Sequence, residues 1–210
     1  MSLAAANGVT DGRLRIQVTR GTPPEPAGAD PGPGLRPTLL VTTEAFAGYP
    51  EEIYREGIAC QTVAGSRGRY ARVKSIGLLG AILARQEALA AGAREAILTT
   101  GHGRMLEGSV SNIFFQAGQV LFTAPDTARI LSGVTRSKII DIAAGQGLQV
   151  EFQTLKLTDL DPVLFSAYLT GSVLGICPVS RIDDLRLKRD ETMFNELSTR
   201  LAELETESID

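Results

Sequence analysis

Histidine is all but missing from this chain: His102 is the single one in 210 residues. A serine–histidine–acid triad or a histidine-rich zinc site therefore has almost nothing to be built from. Cysteine is scarce as well. Cys60 and Cys177 stand far apart, with no CxxC or other metal-type spacing, so the expectation is a reduced, cytoplasmic protein. An excess of positive charge is lacking, since the formal net charge is −3 and the pI about 5.3. That argues against nucleic acid or an anionic membrane as a main partner. No apolar run approaches the roughly 20 residues of a membrane span. The opening "MSLAAANGV" has neither the basic start nor the long apolar stretch of a secretory signal. What is present is ordinary for a soluble globular protein, 43% apolar and 21% charged. The length suits one generous domain, or one domain plus a fragment of a second.

Residues 13–19, "RLRIQVT", alternate like a strand, with Leu14, Ile16 and Val18 on one face. Residues 21–37 hold six of the ten prolines and four glycines and read as a solvated loop. "TLLVT" at 38–42 reads as the returning strand of a long-looped hairpin. A further strand is expected at 58–64. The strongest helix pattern is 75–91, with Ile76, Leu79, Leu83 and the Ile82–Ala90 neighbours as its apolar stripe and Gly92 as its stop. Beyond it the pattern predicts a strand at 95–100, a turn at 101–104 that leaves His102 on the surface, and a hairpin from 111–115 to 120–124. "LSGVTRSKIIDIAAGQG" (131–147) reads as a loop running into a short helix with Thr135 as its N-cap. Strands follow at 149–155, 165–172 and 177–183, with Cys177 as buried packing, and an amphipathic helix at 190–205. The sum is an α+β fold.

Four features could carry chemistry. Lys74 stands between the basic run Arg67, Arg69, Arg72 and an apolar helix start. A lysine desolvated beside other cations loses proton affinity and becomes a usable amine nucleophile. Glu107 lies in "MLEGSVSNIFFQ", one acid at the rim of an apolar strand. "LSGVTR" (131–136) offers free backbone N–H groups at a helix start, an anion site suited to phosphate. "TGS" (170–172) puts small hydroxyl residues at a strand end. Each one alone fits a plainer reading: a solvated lysine, a solvated acid, a capped helix, an ordinary turn.

Their order and spacing together are more specific. From about residue 13 to 183 the chain resembles the class-IV aminotransferases, the fold-type IV enzymes of pyridoxal 5'-phosphate, which include branched-chain aminotransferase, D-amino acid aminotransferase and aminodeoxychorismate lyase. The segments that carry the resemblance are "RLRIQVTRG", "VKSIGLLGAILARQEALAAGAREAIL", "EGSVSNIFF", "LFTAP", "ILSGVTRSKIIDIA" and "TGSVLGICPVSRID". The resemblance implies a large cofactor-binding domain of mixed strands and helices, a pseudo-barrel, over 47–210. Residues 1–46 would be a remnant of the family's small N-terminal domain.

It also implies roles. Lys74 would be the Schiff-base lysine and the proton carrier at the substrate α-carbon. Glu107 would pair with the pyridine nitrogen and keep it protonated, so that the ring draws electrons. Leu131 would pack on the ring. Val134 and Thr135 would bind the phosphate through backbone and hydroxyl, with Ser172 as a further hydroxyl. Arg67, seven residues before the lysine, would contact the phenolate oxygen. The partners implied are a small-molecule primary amine and a second copy of the chain in a homodimer.

The departures bear on the reaction. The position five residues after the lysine, a tyrosine in some members, is Leu79. Where the D-amino acid group has a carboxylate-trapping arginine and histidine, this chain has "TPPEPAG", with Glu25 and Ala27. Many transaminases carry a glutamate near the "PV" at 178–179, and here Gly175 and Ile176 precede it. "SVLGICPV" leans toward the lyase branch, giving as first expectation an aminodeoxychorismate lyase-like enzyme that eliminates pyruvate to leave p-aminobenzoate, a step of folate biosynthesis. The alternatives are a branched-chain type transaminase, a catalytically silent cofactor-binding fragment, and a lysine Schiff-base enzyme without the cofactor. About a dozen residues precede "RLRIQVTRG", where the family has a small domain with a phosphate-clamping arginine. Loss of such a clamp is expected to cost about 1.5–3 kcal/mol, roughly ten- to a hundredfold in cofactor affinity.

Overall fold

Alternation at 13–19 does make a strand. β1 (Gly12–Thr19) pairs antiparallel with β2 (Thr38–Ala45), from Gly12 opposite Ala45 to Thr19 opposite Thr38. Leu14, Ile16, Val18 and Leu39 are exposed on this ribbon. A short helix, α1 (Leu3–Ala6), precedes it, with Ser2 Oγ accepting from the Ala5 N–H at 3.3 Å. The structure, a computed structural model, describes residues 2–23, 32–127 and 129–207. Most of the expected proline-rich loop, residues 24–31, lies outside the described residues. The chain divides into two compact units, Met1–Gly48 and Tyr49–Asp210.

The second unit is built on one mixed sheet. Its strands are β3 (Ile58–Ala64), β4 (Glu95–Thr99), β5 (Met105–Gly108), β6 (Asn112–Ala117), β7 (Val120–Thr123), β8 (Gln149–Phe152), β9 (Phe165–Gly171), β10 (Gly175–Ile182) and β11 (Leu185–Arg186). They run in the order β5-β4-β3-β10-β9-β6-β7-β8, with β11 paired to β10. The β3–β4, β3–β10 and β7–β8 pairs are parallel and the rest antiparallel. Helices α2 (Glu51–Glu56), α3 (Leu79–Ala90), α4 (Val134–Gly145) and α5 (Glu191–Glu207) surround it.

The central strands read as nearly continuous apolar runs because both faces of the sheet are covered. Successive side chains point to opposite faces. Ile113 and Phe115 of β6 and Leu169 of β9 join Ile97, Met105 and Val179 in one core. Their neighbours Phe114 and Tyr168 face the other way and pack with Ile139 and Ile142 of α4 and Met193, Phe194 and Leu197 of α5.

Helix α3 departs from expectation in two ways. It starts at Leu79, so residues 75–78 are not helical. Its buried face is Ala81, Ala84 and Ala88, of which Ala84 and Ala88 pack with Val63 of β3 and Ala96 and Leu98 of β4. Small side chains let the helix approach the sheet closely, and that approach selects the alanine face. The expected stripe of Ile76, Leu79, Ile82 and Leu83 is exposed. Thr135 is not the cap of α4 either. The helix begins one residue earlier, so Gly133 is the N-cap and Thr135 lies in the first turn, buried.

Candidate active site

Strand β5 ends at Glu107–Gly108, and the chain turns through 109–111 into β6. A Cβ at Gly108 would stand 2.0 Å from Ser111 Oγ, so the turn closes this tightly only with glycine. Pairing of Asn112 with Thr170 sets the turn beside the "TGS" end of β9. Helix α4 points its N-terminus at the same place. Its N-cap glycine supplies no side-chain hydrogen bond, which leaves first-turn N–H groups without a capping oxygen.

These segments and the 67–78 stretch enclose one cleft. Arg67, Lys74, Glu107, Leu131, Val134, Thr135 and Ser172, all seven residues singled out in the sequence, line it together. Glu107 is not at a solvated rim. Its side chain is 2% exposed, because β5 carries it inward under the 131–133 segment. Glu107 Oε2 accepts the Leu131 N–H at 3.0 Å. Its Oε1 lies 4.0 Å from Arg67 Nε and has no hydrogen-bond partner among the described residues. Burial pushes the carboxyl up to about 7, against the downward pull of the Leu131 N–H and then of Arg67, Arg136 and Lys74. Arg67 therefore faces Glu107 in addition to the cleft. Lys74 lines the same cleft and is exposed.

Further residues line or brace the cleft: Thr170 and Arg136, from the "TGS" and "LSGVTR" stretches, and Glu95, Ser109, Ser111 and Asn112, which the sequence reading did not single out. Glu95, at the start of β4, is a buried carboxylate. Its Oε1 accepts from the Ala96 N–H at 2.9 Å, the Ser109 N–H at 3.1 Å and the Ser109 hydroxyl, and its Oε2 from the Ser111 hydroxyl at 3.2 Å. It holds the 108–111 turn from behind. Thr170 is buried on the cleft wall, and its Oγ1 has no partner among the described residues. Asn112 donates from Nδ2 to the Leu131 carbonyl at 2.8 Å. Arg136, buried in the first turn of α4, donates to the Ala124 carbonyl at 2.7 Å and to Asp126 Oδ1 at 3.0 Å, fixing the chain that leads into 131–133. For Ser109, Ser111 and Asn112 the signal in the sequence is that small polar residues crowd the "EGSVSN" stretch, whereas Glu95 has no such local signal. His102 is exposed in its turn, as expected. Burial pushes the Cys177 thiol up to about 12 and the Cys60 thiol well above its ordinary value, so neither is poised as a nucleophile.

Comparison with known proteins agrees with the resemblance read from the sequence. The model of the amino-transferase class IV family matches residues 1–182. A D-alanine aminotransferase of Bacillus licheniformis is 32% identical over 176 residues, covering 82% of this chain and 59% of that protein. A putative branched-chain-amino-acid aminotransferase of Methanocaldococcus jannaschii is 33% identical over 181 residues, 84% of this chain and 61% of that protein. Among solved structures, a branched-chain aminotransferase of the thermophilic archaeon Thermoproteus uzoniensis, with norvaline, superposes with a TM-score of 0.78 at 27% identity, covering 91% of this chain and 64% of that one. The chain thus spans about 60% of the length of the two curated relatives.

Proposed function

The chain belongs to the amino-transferase class IV family, and from that premise we propose that its cleft holds pyridoxal 5'-phosphate and serves amino transfer from a small primary amine, an amino acid. The observation that carries this reading is the meeting of Lys74 and Glu107 in one cleft with an uncapped helix N-terminus, Glu107 Oε1 being buried without a hydrogen-bond partner among the described residues. The donor set fits the cofactor. A buried carboxylate oxygen without a partner suits a pyridine N–H. The first turn of α4, with Thr135 and Ser172, suits a phosphate. The Thr170 hydroxyl, without a hydrogen-bond partner among the described residues, is one more group that a polar ligand would satisfy.

When bound, the cofactor supplies an electron-withdrawing ring that eases loss of the proton at the amine's α-carbon. In this reading Lys74 would be the covalent anchor and the base that takes and returns the α-proton. Glu107 would pair with the pyridine nitrogen and keep it protonated; burial works against the ionised form this needs, and the Leu131 N–H and Arg67, 4.0 Å away, work for it. Leu131, fixed by its N–H on Glu107, would pack on the ring. Val134, Thr135 and Ser172 would hold the phosphate.

Amino transfer is favoured over pyruvate elimination because curated relatives above 30% identity carry aminotransferase names. The lyase reading keeps one observation, Gly175 and Ile176 in the place where many transaminases have a glutamate. In the same reading residues 1–46 belong to the family's small domain and 47–210 to the large one. The exposed apolar face of α3, with Leu79, Ile82 and Leu83, supports self-association into a homodimer. The test is to supply pyridoxal 5'-phosphate and 2-oxoglutarate with D-alanine or L-leucine and to measure glutamate, then to measure pyruvate from aminodeoxychorismate. Glutamate formation that disappears in Lys74→Ala supports the proposal. Pyruvate from aminodeoxychorismate without glutamate replaces it with the lyase. Neither product, with cofactor bound, leaves a silent binding module.

A further inference from the structure

We propose that Asn112 is the positioning residue of this cleft, the joint through which the acid that faces one end of the ligand and the helix N-terminus that faces the other are held at a set separation. The proposal rests on the reading that the cleft takes pyridoxal 5'-phosphate.

Leu131 is pinned on both sides. Its N–H donates to Glu107 Oε2 at 3.0 Å, and its carbonyl accepts from Asn112 Nδ2 at 2.8 Å. Two residues further on stands Gly133, the N-cap of α4. Its backbone, at φ −68° and ψ 141°, is extended, a conformation that any residue adopts. Backbone freedom therefore does not explain the glycine. A Cβ there would lie 2.2 Å from Asn112 Oδ1, while the next atoms are Asn112 Cγ at 3.4 Å and Arg136 Cβ at 3.6 Å. The Asn112 side chain alone occupies the space. Its amide thus bears on Leu131 with one end and on Gly133 with the other, just before α4 begins. Asn112 is itself fixed: its side chain is nearly buried, and its backbone pairs with Thr170 on the strand that leads to Ser172. One residue therefore joins three segments of the cleft wall: by its place the turn after Glu107, by its side chain the 131–133 approach to α4, and by its backbone the end of β9.

Two experiments test this, and the first needs no cofactor. Thermal melting of the cofactor-free protein is compared for Gly133→Ala, Asn112→Ala and the double variant. Gly133→Ala is expected to lower the melting temperature in the parent. In the Asn112→Ala background it is expected to do so far less, because the nearest remaining neighbour is at ordinary contact distance. Additive losses would overturn the joint. The second experiment measures dissociation constants by equilibrium dialysis for pyridoxal 5'-phosphate and for pyridoxal. Asn112→Ala leaves the buried Leu131 carbonyl without its donor and frees the approach to α4. It is expected to weaken pyridoxal 5'-phosphate binding by about tenfold or more, and pyridoxal, which lacks the phosphate, by less. Asn112→Asp, close in shape but unable as a carboxylate to donate to that carbonyl, is expected to behave like Asn112→Ala. Parent-like phosphate-dependent affinity in either variant would overturn the proposal. If the parent protein binds neither compound, the reading of the cleft fails instead, and the melting comparison still decides whether Asn112 is the joint.

Discussion

Replacing Glu107 by glutamine should stabilise the cofactor-free protein at alkaline pH and do little at acid pH. The carboxyl is 2% exposed, and burial raises it from an ordinary 4.5 to about 7. The raised value means that the folded state binds the proton more tightly than the unfolded chain does. Glu107 therefore contributes stability that is fully present below pH 4.5 and is lost as pH climbs to about 7. At roughly 1.4 kcal/mol per tenfold change in proton affinity, the loss is on the order of 3 kcal/mol. Glutamine carries no such charge. Its oxygen can still accept the Leu131 N–H, although its NH2 then faces Arg67, so the figure is an upper bound. For a chain of this size, 1 kcal/mol moves the melting temperature by about 2–4 °C, so the gain at pH 8 is at most roughly 6–12 °C. The assay is differential scanning calorimetry of Glu107→Gln and parent, without cofactor, at pH 5 and pH 8. The gap should open as pH rises. A constant difference across that interval would show that no buried-charge cost resides at Glu107, and its proposed place against a pyridine nitrogen would lose its physical basis.

Other consequences can be checked separately. Thr135→Val and Ser172→Ala each remove a hydroxyl proposed to donate to the phosphate, a bond to a charged group worth about 1.5–3 kcal/mol. Each should weaken pyridoxal 5'-phosphate binding by roughly ten- to a hundredfold and leave pyridoxal binding near the parent value in dialysis. Glu95→Ala removes the acceptor shared by two hydroxyls and two N–H groups. With about 1–3 kcal/mol for each donor left unsatisfied, urea denaturation should register a loss of at least about 3 kcal/mol. Ala88→Leu, at a position with 0% exposure between α3 and the sheet, should destabilise by about 1–3 kcal/mol. Leu83→Glu, on the exposed face of the same helix, should leave stability nearly unchanged and lower the mass measured by sedimentation equilibrium if that face self-associates.

The alternating and apolar runs of the strands were legible because their period survives in the structure, as at 13–19, 58–64 and 111–115. The cleft lining was legible because the order and spacing of Lys74, Glu107 and the turn before α4, each open to a plainer reading alone, resemble a known family, and the structure brings them to one cleft. What was not legible depends on approach in space. Nothing local in "SIGLLGAILARQEALAA" says that alanines rather than leucines meet the sheet; that choice belongs to β3 and β4, which admit only a small-residue face. Glu95 reads as a solvated acid at a strand start until the 108–111 turn folds over it. Asn112 reads as an ordinary residue at a strand start until Gly133 and Leu131 arrive from twenty residues away. Thr135 has the residue type of an N-cap, but the helix begins before it, so it faces the cleft from within the first turn.

The central claim is that the amine at Lys74 and the acid at Glu107 serve one bound cofactor. Its most direct test is borohydride reduction of the protein after incubation with pyridoxal 5'-phosphate, followed by peptide mass mapping. The account predicts a phosphopyridoxyl mass on Lys74 in the parent protein, and a much reduced yield in Glu107→Ala under the same conditions. Label that is absent from Lys74, or scattered over surface lysines and indifferent to Glu107, would contradict it.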